Sequence, residues 1–213
     1  MIVYKYKSLG VSTCAKEQEI QINRLIEICT MNHLYAANFN ELDDPMEGVF
    51  ESDSPQNSGI LTNIKNNKTN THICSLSPTY QSMLMWSFYA DYHKGCCVEM
   101  EISDEKIKKV DYVEKPIDLC FTNNMDEKEK IEKILLRKYK DWAFEKELRV
   151  LDEERYIKVE VKKVYFGMRI PDDLYDKLKT QIEGLKKVIK VDKMSEDMFK
   201  HIDTSDTNSD KQV

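Results

Sequence analysis

Strand-like and helix-like hydrophobic patterns alternate along almost the whole of this chain. Residues 2–6 alternate with a period of two, which is typical of a strand. Residues 17–30 and 125–139 repeat apolar side chains at helical spacing, so each predicts an amphipathic helix that packs against another element. Further strand-like runs occupy residues 71–76, 95–102 and 143–151. This interleaving predicts an α+β fold.

The length of 213 residues is enough for one domain with a sizeable core. We predict a single domain over residues 1–195, followed by a polar, frayed C-terminal tail over residues 196–213. No apolar leader and no membrane-length apolar stretch is found, which favours the cytoplasm. The six cysteines form no C-x-x-C pair, so we expect reduced thiols and no structural zinc.

The formal net charge of −6 gives the chain no global positive field. Nonspecific nucleic-acid binding is therefore disfavoured, and a small nucleotide or a protein suits the charge better as a partner. The common glycine-rich phosphate-binding loops and the usual zinc-protease and serine-hydrolase motifs are absent from the sequence.

The segment from Trp142 to Arg149 contains the largest group of candidate catalytic side chains. If it forms a strand, its period of two places Glu145, Glu147 and Arg149 on one face and Phe144 on the other. Two carboxylates beside a guanidinium can divide the roles of acid, base and electrostatic stabiliser. The alternative is a solvated face held by cross-strand ion pairs.

The segment from residue 84 to residue 95 is unusually aromatic. On a helix, Trp86 and Tyr89 fall within one broad arc that can stack a flat ring, or they form a buried stripe. His93 precedes Lys94 and Gly95, as expected at a helix C-terminus.

Two further segments supply candidate ligand contacts. Tyr4, Lys5 and Tyr6 place a cation between two phenols on the first strand. Glu47 ends an acidic turn around Pro45, and turn chemistry explains its neighbours better than it explains Glu47 itself.

Four motifs in this order resemble the bacterial family catalogued as domain of unknown function 2971. They are Tyr4-Lys5-Tyr6, Asp43-Asp44-Pro45-Met46-Glu47, the run from Met85 to Gly95, and Trp142-x-x-Glu145-x-Glu147-x-Arg149. The sequence departs from the family pattern at Asp43, where Asn is typical, and at Phe88, where His is frequent. The family has no established activity, so the resemblance implies site positions and no reaction.

The layout is also similar, at the level of the fold, to ADP-ribosyltransferases, which grip NAD in the cleft of a split antiparallel sheet. That resemblance implies a mixed or mainly antiparallel split sheet flanked by helices, NAD as the cofactor, and no metal. It makes Glu147 the key acid, with Glu145 and Arg149 tuning it. The ligand contacts are then Tyr4, Lys5, Tyr6, Trp86, Tyr89, His93 and Glu47.

Two other functions remain open from the sequence. One is a metal-dependent nuclease or phosphoesterase, in which Glu47, Glu145 and Glu147 surround Mg²⁺. The other is a noncatalytic sensor or interaction module in bacterial conflict or antiphage defence, with the aromatic helix as its partner surface.

Overall fold

A computed structural model describes residues 1–38, 41–42, 44, 49–51, 70–115, 117–118, 125–185 and 189–199. The strands are β1 (Ile2–Lys7), β2 (His33–Tyr35), β3 (Ala37–Asn38), β4 (Phe50–Glu51), β5 (His72–Leu76), β6 (Cys96–Glu101), β7 (Lys108–Lys109), β8 (Asp111–Val113), β9 (Ile117–Asp118), β10 (Arg137–Tyr139), β11 (Leu148–Asp152), β12 (Tyr156–Lys158), β13 (Glu160–Phe166) and β14 (Lys190–Lys193). The helices are α1 (Ala15–Met31), α2 (Met83–Tyr89), α3 (Glu127–Leu135) and α4 (Asp172–Glu183), and Asp104–Lys106, Lys140–Glu145 and Glu196–Phe199 form 3₁₀ segments.

Two four-stranded sheets form the framework. The first has the strand order β1-β6-β13-β14, with antiparallel pairs except for the parallel pair of β13 and β14, which α4 connects. The second has the order β3-β5-β11-β7 and is antiparallel throughout. These pairings confirm the predicted α+β class with mainly antiparallel sheets.

The two sheets meet at a single antiparallel bridge between Tyr4 of β1 and Ser77, just after β5. The Tyr4 amide donates to the Ser77 carbonyl at 2.9 Å, and the Ser77 amide donates back at 2.8 Å. Among the described residues the two strands pair nowhere else in the sheet manner, so the sheets diverge from this point. A cleft opens between them.

The main core lies between the sheets and two helices. Val3, Val98 and Phe166 of the first sheet pack in the same buried cluster as residues of α1 and α4. Leu148 and Val150 of β11 join that cluster from the second sheet. Leu148 and Val150 therefore face the core, which leaves the other face of β11 for polar side chains.

The opposite face of the first sheet carries a second, aromatic core. Its buried members, called here the Trp86 cluster, are Tyr6, Met85, Trp86, Ala90, Cys97, Tyr165 and Met194. Helix α2 covers this face, and the Ser82 hydroxyl caps it by accepting a hydrogen bond from the Met85 amide at 3.3 Å. Of the predicted tail, residues 196–199 form a 3₁₀ segment that packs Met198 and Phe199 on this cluster.

The hydrophobic pattern misplaces two element boundaries. The helix predicted over residues 125–139 begins at a capping box formed by Asp126 and Glu129, but it ends at Leu135. The following residues 137–139 form β10, which pairs with β8. The strand predicted over residues 143–151 starts only at Leu148, because residues 140–145 form a 3₁₀ segment instead.

No helix within the described ranges is long and apolar enough to cross a bilayer. The cysteines at positions 14, 29, 74, 96 and 97 are free thiols, and all of them except Cys14 are buried.

Candidate functional site

The cleft at the divergence of the two sheets contains most of the residues that the sequence singled out. It encloses about 770 Å³ of space, a figure that includes the open solvent at its mouth. Its lining consists of Tyr4, Lys5, Tyr6, Glu41, Leu42, Asp44, Ser75, Leu76, Ser77, Met85, Tyr89, Lys138, Trp142, Glu145, Glu147 and Arg149.

The backbone between Trp142 and Arg149 uses two periods in succession. In the 3₁₀ segment side chains three residues apart lie on one face, which aligns Trp142 with Glu145. Lys146 then adopts a left-handed conformation with φ of 46° and ends the segment. The chain continues extended, so Glu147 and Arg149, two residues apart, share the next face.

The prediction of a continuous strand was therefore wrong here, although the predicted grouping of Glu145, Glu147 and Arg149 is correct. Lys146, which separates the two carboxylates in the sequence, is exposed and is not among the residues that line the cleft.

Glu147 and Arg149 form a buried, two-point ion pair. Arg149 Nε donates to Glu147 Oε1 at 2.8 Å, and Arg149 Nη2 donates to Glu147 Oε2 at 3.0 Å. Arg149 Nη1 donates to the Leu135 carbonyl at the end of α3, at 2.5 Å. The Glu147 amide also donates to the Tyr112 hydroxyl oxygen at 2.7 Å. Both charges are thus fixed by the fold.

Lys138 connects the two carboxylates. Its Nζ donates to Glu145 Oε2 at 2.5 Å and to Glu147 Oε2 at 3.2 Å. The Tyr89 hydroxyl donates to the other oxygen of Glu145. Lys138, Glu145, Glu147 and Arg149 therefore form one continuous charged cluster, which the solvated-face alternative does not describe because all four side chains are largely buried.

Sequence analysis missed Lys138. It is one of 32 basic residues and lies in a segment whose spacing resembles the end of a helix. Only the parallel pairing of β10 with β8 places it at the cleft, and no local signal in the sequence shows that pairing.

The two carboxylates have their pKa values moved in opposite directions. Burial raises the pKa of Glu145, and this outweighs the opposing hydrogen bonds from Lys138 and Tyr89. Burial also acts to raise the pKa of Glu147, but Arg149 and Lys138 outweigh it and lower that pKa to about 2. Glu147 is therefore held ionised, while Glu145 is the easier of the two to protonate.

Strand β1 also contributes side chains to the cleft. Lys5 Nζ donates to the Ser75 carbonyl at 2.7 Å, and the Tyr6 hydroxyl donates to the Thr79 carbonyl at 2.9 Å. The ring of Tyr4 packs at 5.5 Å from that of Tyr80. Tyr4, Lys5 and Tyr6 all line the cleft, as does Tyr89, and their predicted contact with a ligand stays a prediction.

Trp86 and His93 lie elsewhere, and their predicted ligand contacts find no support in this placement. Trp86 is 0% exposed, and its indole Nε1 donates to the Tyr80 carbonyl at 2.7 Å. The His93 ring stacks on Trp86 with centroids 6.2 Å apart, and its Nε2 lies 3.2 Å from the Ser87 hydroxyl oxygen. Burial, with Arg169 nearby, lowers the pKa of His93, so its ring is neutral near pH 7.

The predicted role of Glu47 lies outside the described residues. Among the residues that are described, no group of three potential metal ligands is found. The Mg²⁺ alternative would require Glu145 and Glu147 to exchange Lys138 and Arg149 for a metal ion.

Comparison with models of protein families, with curated proteins and with solved structures found no match to this chain. The resemblance to the domain of unknown function 2971 family and the likeness to ADP-ribosyltransferases therefore stay predictions.

Proposed function

We propose that this chain is an ADP-ribosyltransferase-like enzyme that binds NAD, or a related nucleotide, in the cleft between the two sheets. The observation that carries the proposal is the pair of buried carboxylates with opposite pKa shifts, Glu145 and Glu147, facing one cleft. Such a pair provides both a proton acceptor and a permanent negative charge.

The proposed roles follow from those two environments. The glycosidic bond between ribose and nicotinamide breaks, and nicotinamide leaves as a neutral ring with the bonding electrons. The ionised Glu147 favours the positive charge that develops on the ribose. In the same step an acceptor hydroxyl or water bonds to the ribose carbon, and Glu145 takes the proton that this oxygen loses.

Glu145→Gln is the sharpest test, because the amide keeps the shape of the side chain but cannot accept the proton. We expect nicotinamide release from NAD to fall by about 100-fold or more, as for the loss of a general base. NAD should still raise the melting temperature of this variant. Its free energy of unfolding should change by less than about 1 kcal/mol, because burial already disfavours the charge of Glu145.

Glu101→Gln is a matched control. Glu101 is an exposed carboxylate on β6 that contacts Lys162 outside the cleft, so its substitution should leave nicotinamide release unchanged. If neither NAD nor ADP-ribose stabilises the wild-type protein, the proposal fails. Stabilisation by Mg²⁺ alone would favour the phosphoesterase alternative instead.

A further inference from the structure

Helix α2 exposes large apolar side chains on its outer face. The Phe88 side chain is 65% exposed, and Leu84, one turn earlier on the same face, is 49% exposed. The inner face of α2 already supplies Met85 and Trp86 to the Trp86 cluster. The fold therefore does not require an aromatic ring at position 88, and exposed apolar surface of this kind commonly marks a binding site.

Phe88 belongs to a row of rings that leads into the cleft. Its centroid lies 5.6 Å from that of Phe144, and Phe144 lies 6.1 Å from Trp142. Trp142 lines the cleft, and Lys138 Nζ of the charged cluster lies 4.9 Å from the centre of its ring. The aromatic row of Trp142, Phe144 and Phe88 is thus continuous from the carboxylates to the outer surface.

We infer that the outer part of this row, Phe88 with Phe144, is a stacking subsite for a second flat ring of the ligand. The inference rests on the proposed function, since it takes the ribosyl group to lie at Glu145. A mononucleotide carries a single base ring, so a ligand whose ribosyl group and first ring lie at the charged cluster needs a second ring to stack on Phe88. The ligand class is therefore a dinucleotide with a purine ring at its outer end.

Continuity with the cleft favours a ligand ring over a protein partner as the occupant. The three rings follow one another from the cleft lining to the surface at centroid spacings of 6.1 and 5.6 Å, so a ligand bound in the cleft can extend onto them. A purine presents a flat face that stacks on an aromatic side chain whatever its hydrogen-bonding edge.

The test compares two ligands on one set of variants by isothermal titration calorimetry. NAD contains the outer adenine ring, and nicotinamide mononucleotide lacks it. Phe88→Ala should weaken NAD binding by about tenfold, in the range for loss of one stacked base, and leave the mononucleotide affinity unchanged. Phe88→Trp should retain NAD affinity.

Tyr92→Ala is the control, because Tyr92 is 67% exposed close to α2 but is outside the aromatic row. It should bind both ligands as the wild type does. Unchanged NAD affinity in Phe88→Ala would overturn the subsite and assign the row to another occupant, such as a protein. Equal weakening of both ligands would also overturn it. Failure of the wild type to bind either ligand would instead overturn the proposed function.

Discussion

The charged cluster and the Trp86 cluster are both buried, and each contains side chains that the sequence singled out for ligand binding. In the Trp86 cluster the polar atoms of Trp86 and Tyr6 donate to the nearby carbonyls of Tyr80 and Thr79. In the charged cluster the polar atoms bind one another across three elements and line a cleft. Aromatic content alone therefore does not show that a side chain reaches the cleft, because Trp86 is fully buried and is not among the residues that line it.

The difference also concerns what each cluster contributes to stability. Apolar packing in the Trp86 cluster stabilises the fold directly. Ions in the charged cluster lose hydration, and their mutual attraction mainly offsets that cost. The free energy of unfolding should therefore depend on side-chain volume in the Trp86 cluster, and on the presence of the Arg149 cation beside Glu147 in the charged cluster.

The largest expected effect is that of Arg149→Met. It leaves Glu147 buried with Lys138 as its remaining cation, and we expect a loss of about 3 kcal/mol in the free energy of unfolding. The double variant Glu147→Gln with Arg149→Met removes both charges and should recover most of that loss. Urea denaturation followed by circular dichroism measures both. A double variant no more stable than the single one would show that the pair stabilises the fold outright.

Lowering the pH should remove the stability that the same ion pair, Glu147 with Arg149, contributes. The pKa of Glu147 is lowered from 4.5 to about 2, so its stabilising contribution is fully present above about pH 4.5 and is lost as the pH falls through 2. The loss is on the order of 3 kcal/mol. The raised pKa of Glu145 acts in the opposite sense, because protonation of this group favours the folded state.

Urea denaturation at several pH values between 2 and 6 measures this loss. The double variant at positions 147 and 149 should lack this part of the pH dependence. The same slope in the wild type and the double variant would contradict the assignment to Glu147.

Substitutions of the two tryptophans should have the smallest effects on stability, and they should distinguish the Trp86 cluster from the cleft. Trp86→Phe leaves a cavity and an unpaired Tyr80 carbonyl in the Trp86 cluster, so we expect a loss of about 2 kcal/mol in stability. Trp142→Phe, at a half-buried position, should cost less than about 1 kcal/mol. Ligand affinity should respond in the reverse order, since only Trp142 lines the cleft. A weaker ligand affinity in Trp86→Phe than in Trp142→Phe would reverse the assignment of the two clusters.

Local sequence pattern determined the α+β class, the opening strand, the helix at residues 15–31 and the grouping of Glu145, Glu147 and Arg149. These depend on side-chain periodicity, which acts between neighbours in the chain. The grouping was correct although the predicted strand was wrong. The 3₁₀ segment brings residues three apart, Trp142 and Glu145, to one side, and the extended chain that follows keeps residues two apart on that side as far as Arg149.

Only the tertiary structure decided which aromatic side chains face the cleft and which basic residue completes the charged cluster. Trp86 is buried because α2 packs on the first sheet, and Lys138 reaches the acids because β10 pairs with β8. Both outcomes depend on contacts between segments distant in sequence, and the period of a segment carries no information about its partner. The sequence thus determines which side chains share a face of each helix or strand, and tertiary packing decides which other elements those side chains contact.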